Sequence, residues 1–108
     1  MKKIVLLLVV GVLLSFNLGS AVFYRGYLDE MGDADHFTIY LSSDDVDVEF
    51  GYPGSAEYWV LVLGETGKKL GYFNLDEGEV INLTGGGYFT LVIISHYGHG
   101  KWTAEYED

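Results

Sequence analysis

The 108-residue sequence contains no cysteine and a single proline, Pro53. Without cysteine the chain forms no disulfide and offers no thiolate ligand, so it lies outside the disulfide-stabilised class of small exported domains. Lysine and arginine are also scarce, with six against sixteen acidic residues and a formal charge of −10. Because such a negative field repels phosphate backbones and anionic membrane surfaces, nucleic acid is not expected as a partner.

Long apolar runs are absent except for one at the N-terminus. Lys2 and Lys3 precede an apolar run over residues 4–14, and small residues follow as far as Ala21. This layout predicts a secretory signal-peptide helix over residues 1–21, since the run is shorter than the roughly 20 residues of a membrane span. The protein is therefore expected to be secreted or periplasmic. The alternative is an uncleaved leader, which would be the chain's only contact with a membrane.

Residues 22–108 are long enough for one domain and no more. Removal of the leader leaves four basic against sixteen acidic residues, a formal charge of −12. Since 16% of the chain is aromatic and no disulfide is available, we expect a core built from large side chains.

Alternation of apolar and polar residues is the dominant pattern of this domain. It is clearest over residues 45–50, where Val46, Val48 and Phe50 alternate with three acidic residues and predict a strand with one dry and one wet face. Residues 57–63 are almost all apolar and predict a central strand buried on both faces. The complete set of predicted strands covers residues 23–28, 35–42, 45–50, 57–63, 69–74, 79–84, 88–95 and 101–107.

Eight short strands with a turn about every ten residues, and no helical apolar stripe after the leader, predict an all-β fold. We expect an antiparallel, jelly-roll-like β-sandwich. Glycine-rich segments such as Gly85-Gly-Gly87 are followed by strands rather than helices, so they predict tight turns and not phosphate-binding loops.

Motifs spread along the domain resemble the bacterial pre-peptidase C-terminal (PPC) family of small β-sandwich modules. They are Gly26-Tyr-Leu28, Asp33-Ala-Asp35-His-Phe37, a middle strand over residues 56–63, Gly87-Tyr-Phe-Thr-Leu-Val92 and Gly100-Lys-Trp-Thr103. The resemblance covers residues 23–106 and implies a β-sandwich that accompanies secreted peptidases. Because fold alone does not determine function, the chemistry has to be argued from residues.

An acidic loop over residues 29–35 is the best candidate for a metal site. Asp29, Glu30, Asp33 and Asp35 are carboxylates close together around a glycine, and Ca²⁺ prefers six to eight oxygen ligands. The resemblance to collagenase-linked domains also implies calcium near this edge of the sandwich. The alternative is a solvated turn that keeps an edge strand from pairing with other chains.

Aromatic residues are the second candidate. Exposed rings on a sheet can stack on sugars or contact peptides, and we expect such a surface to include Tyr52, Tyr58, Tyr72 and Tyr97. Trp59 and Trp102 are expected to fill the core.

No catalytic group is expected. Ser95 and His96 are adjacent in a predicted strand and point to opposite faces, so they do not form a nucleophile–base pair. His96 and His99 lack the further ligands that a structural zinc site needs. We therefore expect an exported, non-enzymatic binding module for an extracytoplasmic protein or polysaccharide, stiffened by Ca²⁺. The alternative is a small secreted inhibitor that blocks an extracellular hydrolase through the loop over residues 96–100.

Overall fold

The computed structural model describes residues 21–51, 53–75 and 78–108, and these form eight β-strands. The predicted signal-peptide helix lies outside the described residues, apart from its last residue, Ala21, which begins the first strand. The strands are β1 (Ala21–Leu28), β2 (Ala34–Leu41), β3 (Asp45–Phe50), β4 (Glu57–Leu63), β5 (Lys69–Asn74), β6 (Glu79–Thr84), β7 (Gly87–Tyr97) and β8 (Gly100–Glu107).

The strands form two four-stranded antiparallel sheets. Sheet A has the order β1-β8-β3-β6, and sheet B has the order β2-β7-β4-β5. The chain passes from one sheet to the other at every connection except β4 to β5, and this alternation produces the jelly-roll arrangement. The predicted antiparallel, jelly-roll-like β-sandwich is thus confirmed. In the part of the chain that the structure describes, no helix is long and apolar enough to cross a membrane.

The core lies between the sheets and follows the period-two pattern. Val46, Val48 and Phe50 of β3 are buried, whereas the acidic residues between them are exposed, as the sequence predicts. Inward side chains alternate with outward ones in the same way along β2, β7 and β8. Burial of these apolar faces is the main stabilising term of the fold.

β4 differs from its prediction. It was expected to be buried on both faces, but only Tyr58, Val60 and Val62 are buried, while the residues between them are partly exposed. The reason is that a jelly roll has two layers, so each sheet covers one face of its partner and leaves the other outward. The apolar outward face of β4 is therefore surface.

Gly26 of β1 has a packing role that its type alone does not reveal. It lies directly opposite Trp102 of β8, and a side chain at Gly26 would point into the core. A Cβ atom there would collide with Nε1 of Trp102 and would lie 2.6 Å from Oδ2 of Asp35. The indole of Trp102, only 5% exposed, thus occupies the space that a side chain at position 26 would need.

Candidate functional site

The two outer faces of the sandwich differ in charge. The outer face of sheet A carries exposed carboxylates, and we call it the acidic face; its acidic residues are Asp45, Asp47, Glu49, Glu105 and Glu107. Asn82 donates hydrogen bonds to Asp45 and Asp47 and so separates two carboxylates that repel each other. This face is formed by the solvent-exposed polar residues that alternate with buried apolar residues along β3 and β8.

The outer face of sheet B is apolar and aromatic, and we call it the aromatic face. Among the described strand residues, the charged side chains that point outward here are Glu57 and Lys69, one of each sign. The partly exposed aliphatic residues at its centre are Leu61, Leu63, Val92 and Ile94. The rings on this face are Tyr40, Trp59, Tyr72, Tyr88 and Tyr97, with His36 and His96.

Three of these rings form a compact group that we call the aromatic triangle. The ring centroids of Trp59 lie 4.8 Å from Tyr72 and 5.3 Å from His96, and those of Tyr72 and His96 are 6.0 Å apart. The Tyr72 hydroxyl and Nε2 of His96 share a hydrogen bond of 2.6 Å, which joins β5 to β7 across β4. Nε1 of Trp59 donates to Glu57 at 2.9 Å, and Nζ of Lys69 lies 5.5 Å from the Tyr72 ring.

Alternation along β7 places His96 on the same face as Ile94, and a β-bulge interrupts the pairing with β4 at this point. Opposite Tyr58 and Glu57 of β4 stand Ser95 and Tyr97 of β7, so His96 has no residue directly opposite it. Such a bulge locally disrupts the hydrogen-bonded pairing. Both His96 and Tyr97 are exposed at the end of β7, while Ser95 stays buried.

Two tyrosines form a second aromatic group at the other end of the face. Tyr40 of β2 and Tyr88 of β7 are directly opposite each other, with ring centroids 5.0 Å apart in an edge-to-face arrangement. We call them the tyrosine pair; they are 58% and 50% exposed. Next to them the hydroxyls of Thr38 and Thr90 share a hydrogen bond of 2.9 Å.

The exposed rings of this face differ in membership from the predicted aromatic binding surface, whose role in binding stays a prediction. Tyr72 and Tyr97 lie on it, 37% and 65% exposed, and Tyr52 lies outside the described residues. The prediction that Tyr58 lies on the surface is wrong, because Tyr58 is fully buried and its hydroxyl donates a hydrogen bond to the carbonyl of Gly100. Burial raises the pKa of the Tyr58 phenol above its usual value.

Sequence reasoning missed the role of Trp59, which it assigned to the core together with Trp102. Trp102 is buried as expected, whereas Trp59 is partly exposed on the aromatic face. Both alternating sets of β4 are largely apolar, and the signal that was available is Glu57, which shares the alternating set of Trp59. The outward position of Tyr40 was signalled, because the residues that alternate with it are Ile39 and Leu41.

The acidic loop uses its carboxylates to hold its own backbone. Asp33 accepts hydrogen bonds from the backbone N–H groups of Asp29 and Ala34, at 2.8 and 3.1 Å, and Asp35 accepts one from His36 at 2.9 Å. The loop is tied to β7, because the backbones of Gly32 and Asp33 exchange hydrogen bonds with Ser95. Asp35 belongs to β2, whereas Asp29, Glu30 and Asp33 belong to the loop.

Within residues 21–51, 53–75 and 78–108, no three or more His, Asp or Glu side chains come together as a group that could hold a metal ion. The calcium site stays a prediction from the sequence. His96 and His99 have different partners, since His99 shares a hydrogen bond of 3.2 Å with the Tyr27 hydroxyl of β1.

Comparison by sequence finds no relative: no protein-family profile and no curated protein matches the chain. Comparison by structure finds the same fold in several solved proteins. The mitogen derived from Yersinia pseudotuberculosis is 8% identical, with a TM-score of 0.62, over 83% of this chain and 86% of its own. PliG of Aeromonas hydrophila, a periplasmic inhibitor of g-type lysozyme, is 12% identical, with a TM-score of 0.58, over 82% and 86%.

A third structure concerns the resemblance noted in the sequence. The pre-peptidase C-terminal domain of a collagenase from Bacillus anthracis is 14% identical, with a TM-score of 0.60, over 81% of this chain and 89% of that domain. At such low identity the likeness establishes the fold alone. The chain therefore has the β-sandwich fold of a pre-peptidase C-terminal domain, which confirms the resemblance at the level of fold.

Proposed function

We propose that this protein is an exported, non-enzymatic binding module whose binding surface is the aromatic face of sheet B. Its ligand is an extracytoplasmic protein or polysaccharide. The observation that carries the proposal is the difference between the two outer faces. Exposed carboxylates are concentrated on sheet A, although Phe23, Tyr27 and Val80 are also exposed there. Most outward side chains of sheet B are rings and aliphatic groups. Large exposed apolar patches on soluble domains mark interaction sites.

A non-catalytic role is supported by the state of the one serine–histidine neighbour pair considered above. The Ser95 side chain is 1% exposed, and its hydroxyl donates to the carbonyl of Gly98 at 2.7 Å. His96 meanwhile contacts Tyr72 and Trp59 on the outer face. A buried hydroxyl with no adjacent base lacks the activation that a nucleophile requires.

An exported location is supported by the leader pattern of residues 1–21. It agrees with the setting of two proteins that share the fold, one a periplasmic inhibitor and the other a domain of a collagenase. The absence of cysteine removes any dependence on disulfide formation in that compartment.

The proposal is tested by placing a charge at the centre of the aromatic face. Val92 is partly exposed there, so Val92→Lys adds a charge without opening the core. We expect the wild type, but not V92K, to retain a ligand from envelope extract or from a panel of insoluble polysaccharides. The matched control is Glu49→Lys on the acidic face. Loss of retention in E49K with full retention in V92K would assign the binding surface to sheet A.

A second candidate function, inhibition of an extracellular hydrolase, is favoured by the turn between β7 and β8. Ser95 and Tyr58 each donate a hydrogen bond to this turn, to the carbonyls of Gly98 and Gly100. Gly98 also packs against Ala56, since a Cβ atom at position 98 would lie 3.2 Å from it. The turn is thus held in one conformation while Tyr97 is 65% exposed, and preorganised loops bind at a lower entropic cost.

The inhibitor candidate has a direct assay. The fold is shared with an inhibitor of g-type lysozyme, so lysis of cells by a g-type lysozyme is measured with and without the purified domain. We expect inhibition that Tyr97→Ala removes and Tyr40→Ala, at the other end of the face, leaves intact. Unchanged lysis at equimolar and higher domain concentrations would reject this target.

A further inference from the structure

The two aromatic groups stand at opposite ends of one strand. Tyr88 and His96 both belong to β7, and at about 3.4 Å per residue their eight-residue separation spans roughly 27 Å. The aromatic triangle surrounds one end of this line and the tyrosine pair the other. A ligand that contacts both must be long and extended.

The surface between the two groups is mixed in a regular way. On the β2 side it offers His36 and the hydrogen-bonded hydroxyls of Thr38 and Thr90. Toward β4 it offers the partly exposed aliphatic side chains of Val92 and Leu61. Between the two aromatic groups, polar side chains therefore lie toward β2 and apolar side chains lie toward β4.

Acceptors for hydroxyl groups lie beside the aromatic triangle. One oxygen of Glu57 accepts the indole N–H of Trp59, and a carboxylate has a second oxygen with lone pairs of its own. Asn74 lies directly opposite Trp59 and is partly exposed, so it is a second polar residue beside the triangle.

Charge selects against anionic ligands. Glu57 and Lys69 balance each other on the aromatic face, whereas the chain as a whole has a formal charge of −10. The surrounding field therefore repels uronic acids, phosphates and sulfates, and the face itself offers no excess of either sign.

The same features separate a glycan from a peptide. The apolar face of a pyranose ring stacks on aromatic rings, while its hydroxyl groups bond to side chains such as Thr38 and Glu57. An extended peptide instead has backbone N–H and C=O groups, which are met best at a sheet edge and not on a sheet face.

We propose that an extended, neutral polysaccharide lies along β7 on the aromatic face, stacked on the aromatic triangle at one end and on the tyrosine pair at the other. This inference rests on the proposed function, because it assumes that the aromatic face is the binding surface. It adds the ligand class, the direction of the ligand and the two contact points.

Oligosaccharides of increasing length are the test. Cellohexaose and N-acetylchitohexaose, with their disaccharides, are titrated into the full domain by calorimetry, and polygalacturonate serves as the anionic comparison. We expect at least one hexasaccharide to bind, its disaccharide to bind at least about tenfold more weakly because it reaches one aromatic group only, and polygalacturonate not to bind.

Variants then locate the ligand. Trp59→Ala and Tyr88→Ala are each expected to weaken hexasaccharide binding roughly five- to tenfold, through loss of one stacking contact.

Trp59→Phe keeps a ring and is expected to retain binding. Because Trp102 is buried and the chain has two tryptophans, W59F is also expected to lose the ligand-induced change in fluorescence. Phe23→Ala on the outer side of sheet A is the matched control for an exposed ring.

Three outcomes overturn the inference, and each has a different meaning. If no glycan binds, but the wild type retains an envelope protein that V92K does not, the ligand is a protein and the proposed function survives. If a hexasaccharide binds with the same affinity as its disaccharide, or if Tyr88→Ala does not change its affinity, the ligand does not extend along β7 to the tyrosine pair. Absence of both glycan and protein binding rejects the aromatic face altogether.

Discussion

The hydroxyl of Tyr58 donates a hydrogen bond of 2.8 Å to the carbonyl oxygen of Gly100, and this bond joins the two sheets. Tyr58 belongs to β4 of sheet B and Gly100 to β8 of sheet A. The bond also fixes the end of the turn that presents Tyr97 and His99. A side chain predicted to bind ligand is thus a support for the exposed turn beside it.

Tyr58→Phe is expected to lower the free energy of unfolding by about 1 kcal/mol, since it removes this bond and leaves the ring in place. For a domain of this size that corresponds to a fall in melting temperature of roughly 4–8 °C. Thermal unfolding followed by circular dichroism measures it. Tyr40→Phe, on an exposed ring, is the control and is expected to change little. Equal melting temperatures for the two variants would contradict the role given to Tyr58.

Gly26→Ala is expected to destabilise the domain by about 1–3 kcal/mol, because the new methyl group collides with Trp102 and Asp35. Gly64→Ala is the matched control. Its Cβ atom would make ordinary contacts with Leu70, at 3.4 Å or more, so the change is expected to be neutral or slightly stabilising. Chemical denaturation of both variants gives the comparison, and a G26A protein as stable as G64A would refute the packing argument.

Asp108 is expected to titrate at an acidic pH in the folded domain. Hydrogen bonds to its carboxylate, first from the backbone of Ser42 and then from Ser43, lower its pKa from 3.8 to about 2. Because the folded pKa is the lower one, the stabilising contribution is complete above pH 3.8 and is lost as the pH falls toward 2.

Carboxyl-carbon chemical shifts in a pH titration measure this pKa. We expect a midpoint for Asp108 near 2 in the folded wild type and near 3.8 in the urea-unfolded chain. Ser42→Ala removes the hydroxyl donor at 3.0 Å and is expected to raise the folded midpoint, while the backbone donor keeps it below 3.8. A folded midpoint equal to the unfolded one would show that these hydrogen bonds do not form in solution.

The predicted calcium site has a thermal test. If Ca²⁺ binds the acidic loop of the folded domain, the ion raises the melting temperature and EDTA reverses the change. Glu30→Gln removes one carboxylate without touching the hydrogen bonds that Asp33 makes, so it is expected to weaken the response. Asp44→Asn, outside the loop, is the control. A melting temperature that neither Ca²⁺ nor EDTA moves would remove the site.

Strand β3 shows why so much of the fold was predictable. Its apolar and acidic residues alternate without exception, so only one of its two faces can be buried. The same holds for β2, where Tyr40 alternates with Ile39 and Leu41. The predicted and observed bounds of β3 to β6 agree because glycine, proline and acidic turns flank these strands.

Strand β4 shows where prediction failed. Tyr58 and Trp59 are neighbours of similar character, and the one sequence signal that separates them is Glu57, which alternates in phase with Trp59. The aromatic triangle depends in addition on the pairing of β4 with β5 and with β7. Neither can be inferred without the register between strands that are distant in sequence.

The amino-acid order alone determined that this chain forms alternating strands with one wet face, a core of large side chains and no disulfide, because period-two burial and composition are local properties. Only the tertiary structure decided which apolar faces meet and which remain outside. Two sheets have four faces and a single core buries two of them, so the placement of Trp59, Tyr72 and His96 on the surface followed from sheet pairing and not from residue type.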